Sequence, residues 1–133
     1  MVIQKEHITG YDAFCEFFKT FDSQGKNVHV YFSGSKLPSG ESWCDDCQRS
    51  WPVVEKVLKK LEEDEKEKDS IFISVDVGDR PTWKDPQSSF RTDKRTKLMV
   101  IPTLLRWEKP QRLIGDQCEK EDLVEMLFTD EDD

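Results

Sequence analysis

No apolar run in these 133 residues approaches the length of a bilayer span, and Met1 to Gly10 has none of the apolar core of a secretion signal. A cytosolic, reducing location with no membrane partner is therefore expected. Positive charge is in deficit. The net charge is −8 with 36% charged residues, which disfavours nucleic acid and anionic lipid as partners. The acidity gathers in Glu62-Glu63-Asp64-Glu65 and in the tail Asp130-Glu131-Asp132-Asp133, both expected to be solvated. Internal repeats and linker-like stretches are absent too. One domain over 1–133, with an acidic tail at about 129–133, is expected to hold a hydrophobic core and to act as a monomer. Histidine is scarce. His7, His29 and Cys118 are scattered without ligand spacing, so no metal site is expected. Four cysteines in a short chain could mean a secreted disulfide scaffold, but the missing signal speaks against it.

What is present centres on Ser42-Trp43-Cys44-Asp45-Asp46-Cys47-Gln48-Arg49. Upstream, Asn27-Val28-His29-Val30-Tyr31-Phe32 is rich in β-branched and aromatic residues, as a strand requires. Downstream, Val54, Val57, Leu58 and Leu61 follow the i, i+3, i+4, i+7 spacing of one helical face. The Cys-x-x-Cys thus falls at a helix N-terminus, where free N–H groups and the helix dipole favour a thiolate over a thiol. Such a pair next to a β/α pattern reads as a redox dithiol, with Cys44 as the exposed attacker and Cys47 as the resolving thiol. A zinc half-site and a structural disulfide are the alternatives. A structural zinc needs four ligands, and this motif supplies two.

Along the chain, Val2 to His7 is a short first strand, and Thr9 opens a helix with Asp12 as its capping-box acid. Tyr11, Phe14, Cys15 and Phe18, extended by Phe21, form the buried stripe of that helix. Cys15 reads there as a small core residue. Ser33 to Glu41 is a polar loop containing Gly34, Pro38 and Gly40. Trp43 either shields the thiols and offers substrate an aromatic surface, or packs against this loop. Pro52 removes one intrahelical hydrogen bond, yet the apolar period resumes after it, so one kinked helix is expected. Ile71 to Val77 is a strand apolar enough for a central or near-central position. Asp85-Pro86 suggests a short helix running toward Phe90. Leu98 to Leu105 is strand-like on both sides of Pro102, and Gln111 to Ile114 follows after a turn at Lys109-Pro110. The last helix carries Leu123, Val124, Leu127 and Phe128 on one face. Cys118 before it is either a regulatory thiol or a plain helix-start residue.

This order implies an α/β domain with a sheet covered on both faces. Trp43-Cys44-x-x-Cys47, the helix proline Pro52 and Ile101-Pro102-Thr103-Leu104-Leu105 together resemble the thioredoxin fold, a three-layer α/β/α arrangement around a central mixed sheet. By that resemblance Ile101–Pro102 is cis and lies against the cysteine pair. That isomer costs an X–Pro bond about 0.5–1 kcal/mol. The segments Tyr31-Phe32-Ser33-Gly34-Ser35-Lys36, Val77-Gly78-Asp79-Arg80-Pro81-Thr82-Trp83-Lys84-Asp85-Pro86 and Leu123-Val124-Glu125-Met126-Leu127-Phe128 resemble the thioredoxin domain-containing protein 17 family over nearly the whole chain. The resemblance implies a cytosolic disulfide reductase with no bound cofactor, recharged by NADPH through thioredoxin reductase. It also implies a narrower protein-substrate range than thioredoxin, action on small disulfides such as cystine, and a link to redox-sensitive signalling partners.

Two positions depart from that pattern. Tyr31 stands where thioredoxin has a buried Asp thought to move protons to and from the resolving thiol, so another group or water must serve. Asp45 stands where the subfamily usually has proline, placing two carboxylates between the thiols. A carboxylate about 6–8 Å from a thiolate costs it roughly 0.5–3 kcal/mol, and about 1.4 kcal/mol is one pKa unit. Asp45 and Asp46 are therefore expected to raise the Cys44 pKa and make the dithiol a stronger reductant, unless both simply face solvent. In the Gly78 to Arg95 insertion, Trp83, Asp85 and Phe90 either wall the thiols and select substrates, or anchor the segment to the sheet. A redox-inert adaptor with a vestigial dithiol is the alternative to the reductase.

Overall fold

The structure, a computed structural model, describes residues 1–65 and 68–129. The tail Asp130 to Asp133 lies outside the described residues. Among them a mixed sheet of five strands has the order β1-β3-β2-β4-β5. Its strands are β1 (Ile3–Thr9), β2 (Asn27–Ser33), β3 (Ser70–Asp76), β4 (Thr103–Arg106) and β5 (Arg112–Ile114). β1 and β2 both run parallel to β3, β4 is antiparallel to β2, and β5 is antiparallel to β4.

Alternation along the strands gives the sheet two apolar faces. On one, Val28, Val30, Phe32, Ile71, Ile73, Val75 and Leu105 meet Phe14 of helix α1 (Tyr11–Thr20). Tyr11, Cys15, Phe17 and Phe18 are half-buried against that cluster. On the other face Tyr31, Phe72 and Leu104 pack under α2 (Asp45–Glu62) and α5 (Glu121–Thr129). Val54, Val57, Leu58 and Leu61 of α2 are all buried, as are Val124, Leu127 and Phe128 of α5, while Leu123 is half-buried. α2 runs unbroken through Pro52.

Several elements differ from expectation. β1 extends through Thr9, because Thr9 keeps register with Asp76 and the next amide, Gly10, donates to the Asp76 carbonyl at 3.0 Å. The cap of α1 is Gly10 at φ 86, a conformation glycine adopts freely, and no side chain caps it; Asp12 forms no capping box. Asp85-Pro86 starts no helix. Instead Asp79 caps α3 (Arg80–Lys84), accepting from the Thr82 amide at 3.0 Å with Pro81 in the first turn. Asp85 ends α3 and its carboxylate takes the Gln87 amide at 2.9 Å; α4 (Ser89–Thr92) follows. Leu98 to Ile101 is not strand. The Leu98 amide bonds the Phe90 carbonyl at 3.1 Å and Pro102 has no amide to give, so the ladder begins at Thr103. The loop after β2 carries one bridge, Lys36 to Ser42, that folds it into a small flap. Gly115 opens a short 3-10 turn, Gly115–Glu119, which buries Cys118 completely.

Candidate functional site

At the strand C-terminal end, the flap returns the chain to Trp43 and α2 begins. Cys44 is the N-cap residue of α2 in extended conformation, and its Sγ accepts the backbone N–H of Cys47 at 3.4 Å. The cap position is thus held by a sulfur in place of the usual oxygen. The Ser42 hydroxyl bridges the approach, donating to the Gly34 carbonyl at 2.8 Å and accepting the Cys44 amide at 3.2 Å. Cys44, expected to be the exposed thiol, is buried at 9% exposure because the Ile101 carbonyl and the start of α2 close over it, and Cys47 is deeper still at 2%. All four cysteines are thiols.

The two sulfurs divide one proton unevenly. Cys44 is lowered to about 7, first by the hydrogen bond from the Cys47 side chain and then, against the opposing effect of burial, by the Cys47 amide. Cys47 is pushed strongly upward by the same bond to Cys44 and by its burial. The helix mouth contributes through its amides, but a side chain gives the largest effect. Asp46 is the carboxylate whose charge opposes the Cys44 thiolate. It also pairs with Arg49, which reaches Glu119 at 3.3 Å. Asp45 is exposed.

Facing Cys44 is the Ile101–Pro102 bond, which is cis, with the Ile101 carbonyl oxygen 3.9 Å from Cys44 Sγ. Just before it in the chain, Met99 and Val100 are 80% and 39% exposed, a short apolar strip leading to the Ile101 carbonyl. Arg91 fixes that strip to the insertion. Its Nε donates to the Trp83 carbonyl at 2.8 Å and its Nη1 to the Met99 carbonyl at 3.2 Å, with the guanidinium 3.9 Å over the Trp83 ring.

Trp43 is half-buried and held on three sides. Its Nε1 donates to the Gly78 carbonyl at 2.8 Å, and Arg80 lies 4.9 Å above its ring and donates to its carbonyl at 3.3 Å. Beneath it Gly34 leaves no space, since a Cβ there would fall 2.7 Å from Trp43 Cε2. Trp43 therefore packs against the loop while keeping part of its surface open. Trp83 and Phe90 are buried in the core, Phe90 with its centroid 5.3 Å from Phe14, so both anchor the insertion. Asp85 is exposed at the end of α3. None of Arg80, Arg91, Gly34, Gly78, Met99 and Val100 was marked as a site residue by the sequence, since glycine, arginine and an apolar run acquire these roles only through contacts across the chain.

Tyr31 lies under the dithiol. Its hydroxyl meets Ser50 Oγ at 2.5 Å, and Ser50 donates to the Cys47 carbonyl at 3.2 Å. Burial holds the Tyr31 phenol far above its ordinary value. Cys118 is pushed up to about 12 by burial and has no route to solvent. Cys15 is half-buried with Arg95 Nη2 at 3.5 Å.

A mixed sheet covered on both faces, a Cys-x-x-Cys capping a helix, and a cis-proline carbonyl opposite it define a thioredoxin-like domain. The chain belongs to the thioredoxin domain-containing protein 17-like family, whose thioredoxin-domain model matches residues 7–130. It is 44% identical over 124 residues to thioredoxin domain-containing protein 17 of Danio rerio, covering 93% of this chain and 94% of that one. The human protein of that name is 41% identical over 119 residues, covering 89% and 91%. The thioredoxin-like protein Clot of Oryza sativa subsp. japonica is 33% identical over 135 residues, covering 96% of each.

Proposed function

We propose that this protein is a cytosolic disulfide reductase in which Cys44 attacks an oxidised sulfur and Cys47 resolves the resulting mixed disulfide. The observation that supports this most directly is the placement of the Cys44 sulfur at the cap of α2, where Cys47 lowers it to about 7. Near neutral pH a large fraction of Cys44 is then thiolate, close to the optimum for an attacking thiol. The exposed Met99 and Val100, with the Ile101 carbonyl behind them, offer an extended substrate segment backbone and apolar contacts beside the sulfur. Electrons come from NADPH through thioredoxin reductase, with no cofactor bound to this chain, which acts as a monomer. The substrate range is narrower than that of thioredoxin and includes small disulfides such as cystine. Consumption of NADPH with thioredoxin reductase, measured across cystine, insulin and a peroxiredoxin, tests this directly. Turnover that depends on Cys44 is expected. No electron flow, or flow that survives Cys44→Ser, would sink the reading.

A further inference from the structure

Resolving a mixed disulfide requires Cys47 to lose its S–H proton, and Cys47 is 2% exposed. The hydroxyls around it are poor acceptors: Ser42, whose hydroxyl lies against the Cys47 thiol, already donates to the Gly34 carbonyl and accepts the Cys44 amide. Ser50 is already bonded to the Cys47 carbonyl and to Tyr31, and the buried phenol of Tyr31 keeps its own proton at neutral pH. A base has to come from elsewhere.

Sheet register shows where one stands. His7 of β1 and Tyr31 of β2 both lie opposite Ser74 of β3, so the three form one row on the face beneath α2. Two residues further on, Thr9, Asp76 and Ser33 form the next row on the same face, nearer the strand ends where α2 begins. A cleft of about 320 Å³ opens here, and His7, Tyr31, Ser74, Asp76 and Cys47 all line it. Asp76 is 8% exposed, with Oδ2 3.4 Å from His7 Nε2, and His7 Nδ1 is 2.6 Å from Ser74 Oγ. Water occupies about 30 Å³ per molecule in the liquid, so the cleft has room for a water link between carboxylate and sulfur. The other charged groups on it, Lys36 and Glu41, belong to the exposed flap.

We propose, resting on the exchange chemistry of the preceding section, that Asp76, steadied by His7, is the proton acceptor for the Cys47 thiol, reached across this cleft. The Cys47 proton passes through water to the Asp76 carboxylate, and the Cys47 sulfur attacks the Cys44 sulfur. A Cys44–Cys47 bond forms as the bond from Cys44 to the substrate sulfur breaks. The electron pair leaves on that substrate sulfur as a thiolate. The dithiol is oxidised and the substrate disulfide reduced, and Asp76 returns its proton to solvent through the open side of the cleft.

The test uses reduced full-length protein and the aryl disulfide dithiobis(nitrobenzoate). Attack by Cys44 releases a first equivalent of coloured thiolate, and resolution by Cys47 releases a second. In Asp76→Asn the second phase is expected to slow at least about tenfold relative to the first, the modest end of general-base assistance. Its pH–rate midpoint should move upward, and added formate should restore part of the rate. Asp76→Ser is measured in parallel, with circular dichroism as the folding check, so that one folded variant suffices. A second phase of wild-type rate and pH profile in a folded variant, or a slowed one that formate leaves unmoved, would overturn the assignment. Absence of the first phase in the wild type would instead overturn the exchange chemistry itself.

Discussion

The sulfur of Cys44 lies 3.4 Å from the backbone nitrogen of Cys47, so the thiol meant to attack is also the cap of the helix that carries its resolving partner. Helix stability and nucleophile activation are therefore coupled at one atom. Alkylation of Cys44 by iodoacetamide is expected to follow a pH profile with its midpoint near the lowered value of about 7. Because Asp46 opposes that thiolate and Asp45 is exposed, Asp46→Asn should move the midpoint downward and Asp45→Asn should move it less. A larger movement for Asp45 would show that the wrong carboxylate has been assigned.

Removing the resolving thiol should turn the protein into a trap. Cys47→Ser is expected to accumulate a disulfide-linked adduct on Cys44 when mixed with an oxidised protein substrate, visible on a non-reducing gel and cleared by dithiothreitol. Adducts forming through Cys47 in Cys44→Ser would reverse the two roles.

Among the four thiols, reactivity should follow thiolate character as well as burial: Cys15 is the more exposed thiol, but Cys44 is the one lowered to about 7. Brief alkylation of the native reduced protein followed by mass mapping is expected to label Cys44 first. Cys118, fully buried and pushed up to about 12, should stay unlabelled until the chain is unfolded. Early labelling of Cys118 would mean that the 3-10 turn opens readily.

Gly34→Ala tests the seat of Trp43. The added Cβ would come within 2.7 Å of one indole atom and 2.9 Å of another, so the ring must move and its bond to the Gly78 carbonyl is lost. A loss of about 1–3 kcal/mol in urea unfolding, typical of overpacking, is expected together with a change in tryptophan emission. Native stability and emission in the variant would show that the ring has room to yield.

His29 should make the fold acid-sensitive. It is fully buried with its ring 4.4 Å from that of Phe128, and burial, aided by the charge of Arg106, lowers it to about 3. Below about pH 6.5 the unfolded chain binds this proton and the folded one does not, so stability falls as pH falls, by up to about 1.4 kcal/mol per unit. The loss continues until the folded group also titrates near 3. Asp93, lowered to about 2 chiefly by its hydrogen bond with Arg95, adds the same sign of dependence only below the ordinary carboxylate range. His29→Phe is expected to flatten the stability profile between about pH 6.5 and 4. An unchanged slope would assign it to other groups.

Periodic patterns were legible wherever one face of an element is buried against the sheet. Val54, Val57, Leu58 and Leu61 marked α2 through its proline, and the apolar run Ile71 to Val77 marked β3, because burial in a layer imposes a repeat that residue order displays. The errors lie where the backbone is held by partners distant in sequence. Thr9 was drawn into β1 by Asp76, Leu98 was captured by Phe90, and the residue that caps a helix in the insertion is Asp79, while Asp85 ends that helix.

By itself the sequence determined the class of fold, the family, and the position of Cys44 and Cys47 at a helix start, since these follow from local spacing and the identity of a few residues. Only the tertiary structure decided which group lowers Cys44, that Trp43 is seated on Gly34 and Gly78, and that His7, Ser74, Tyr31 and Asp76 face one cleft with Cys47. The physical reason is that these are relations between strands and loops whose register is set by packing of the whole sheet, and no short stretch of chain contains both partners.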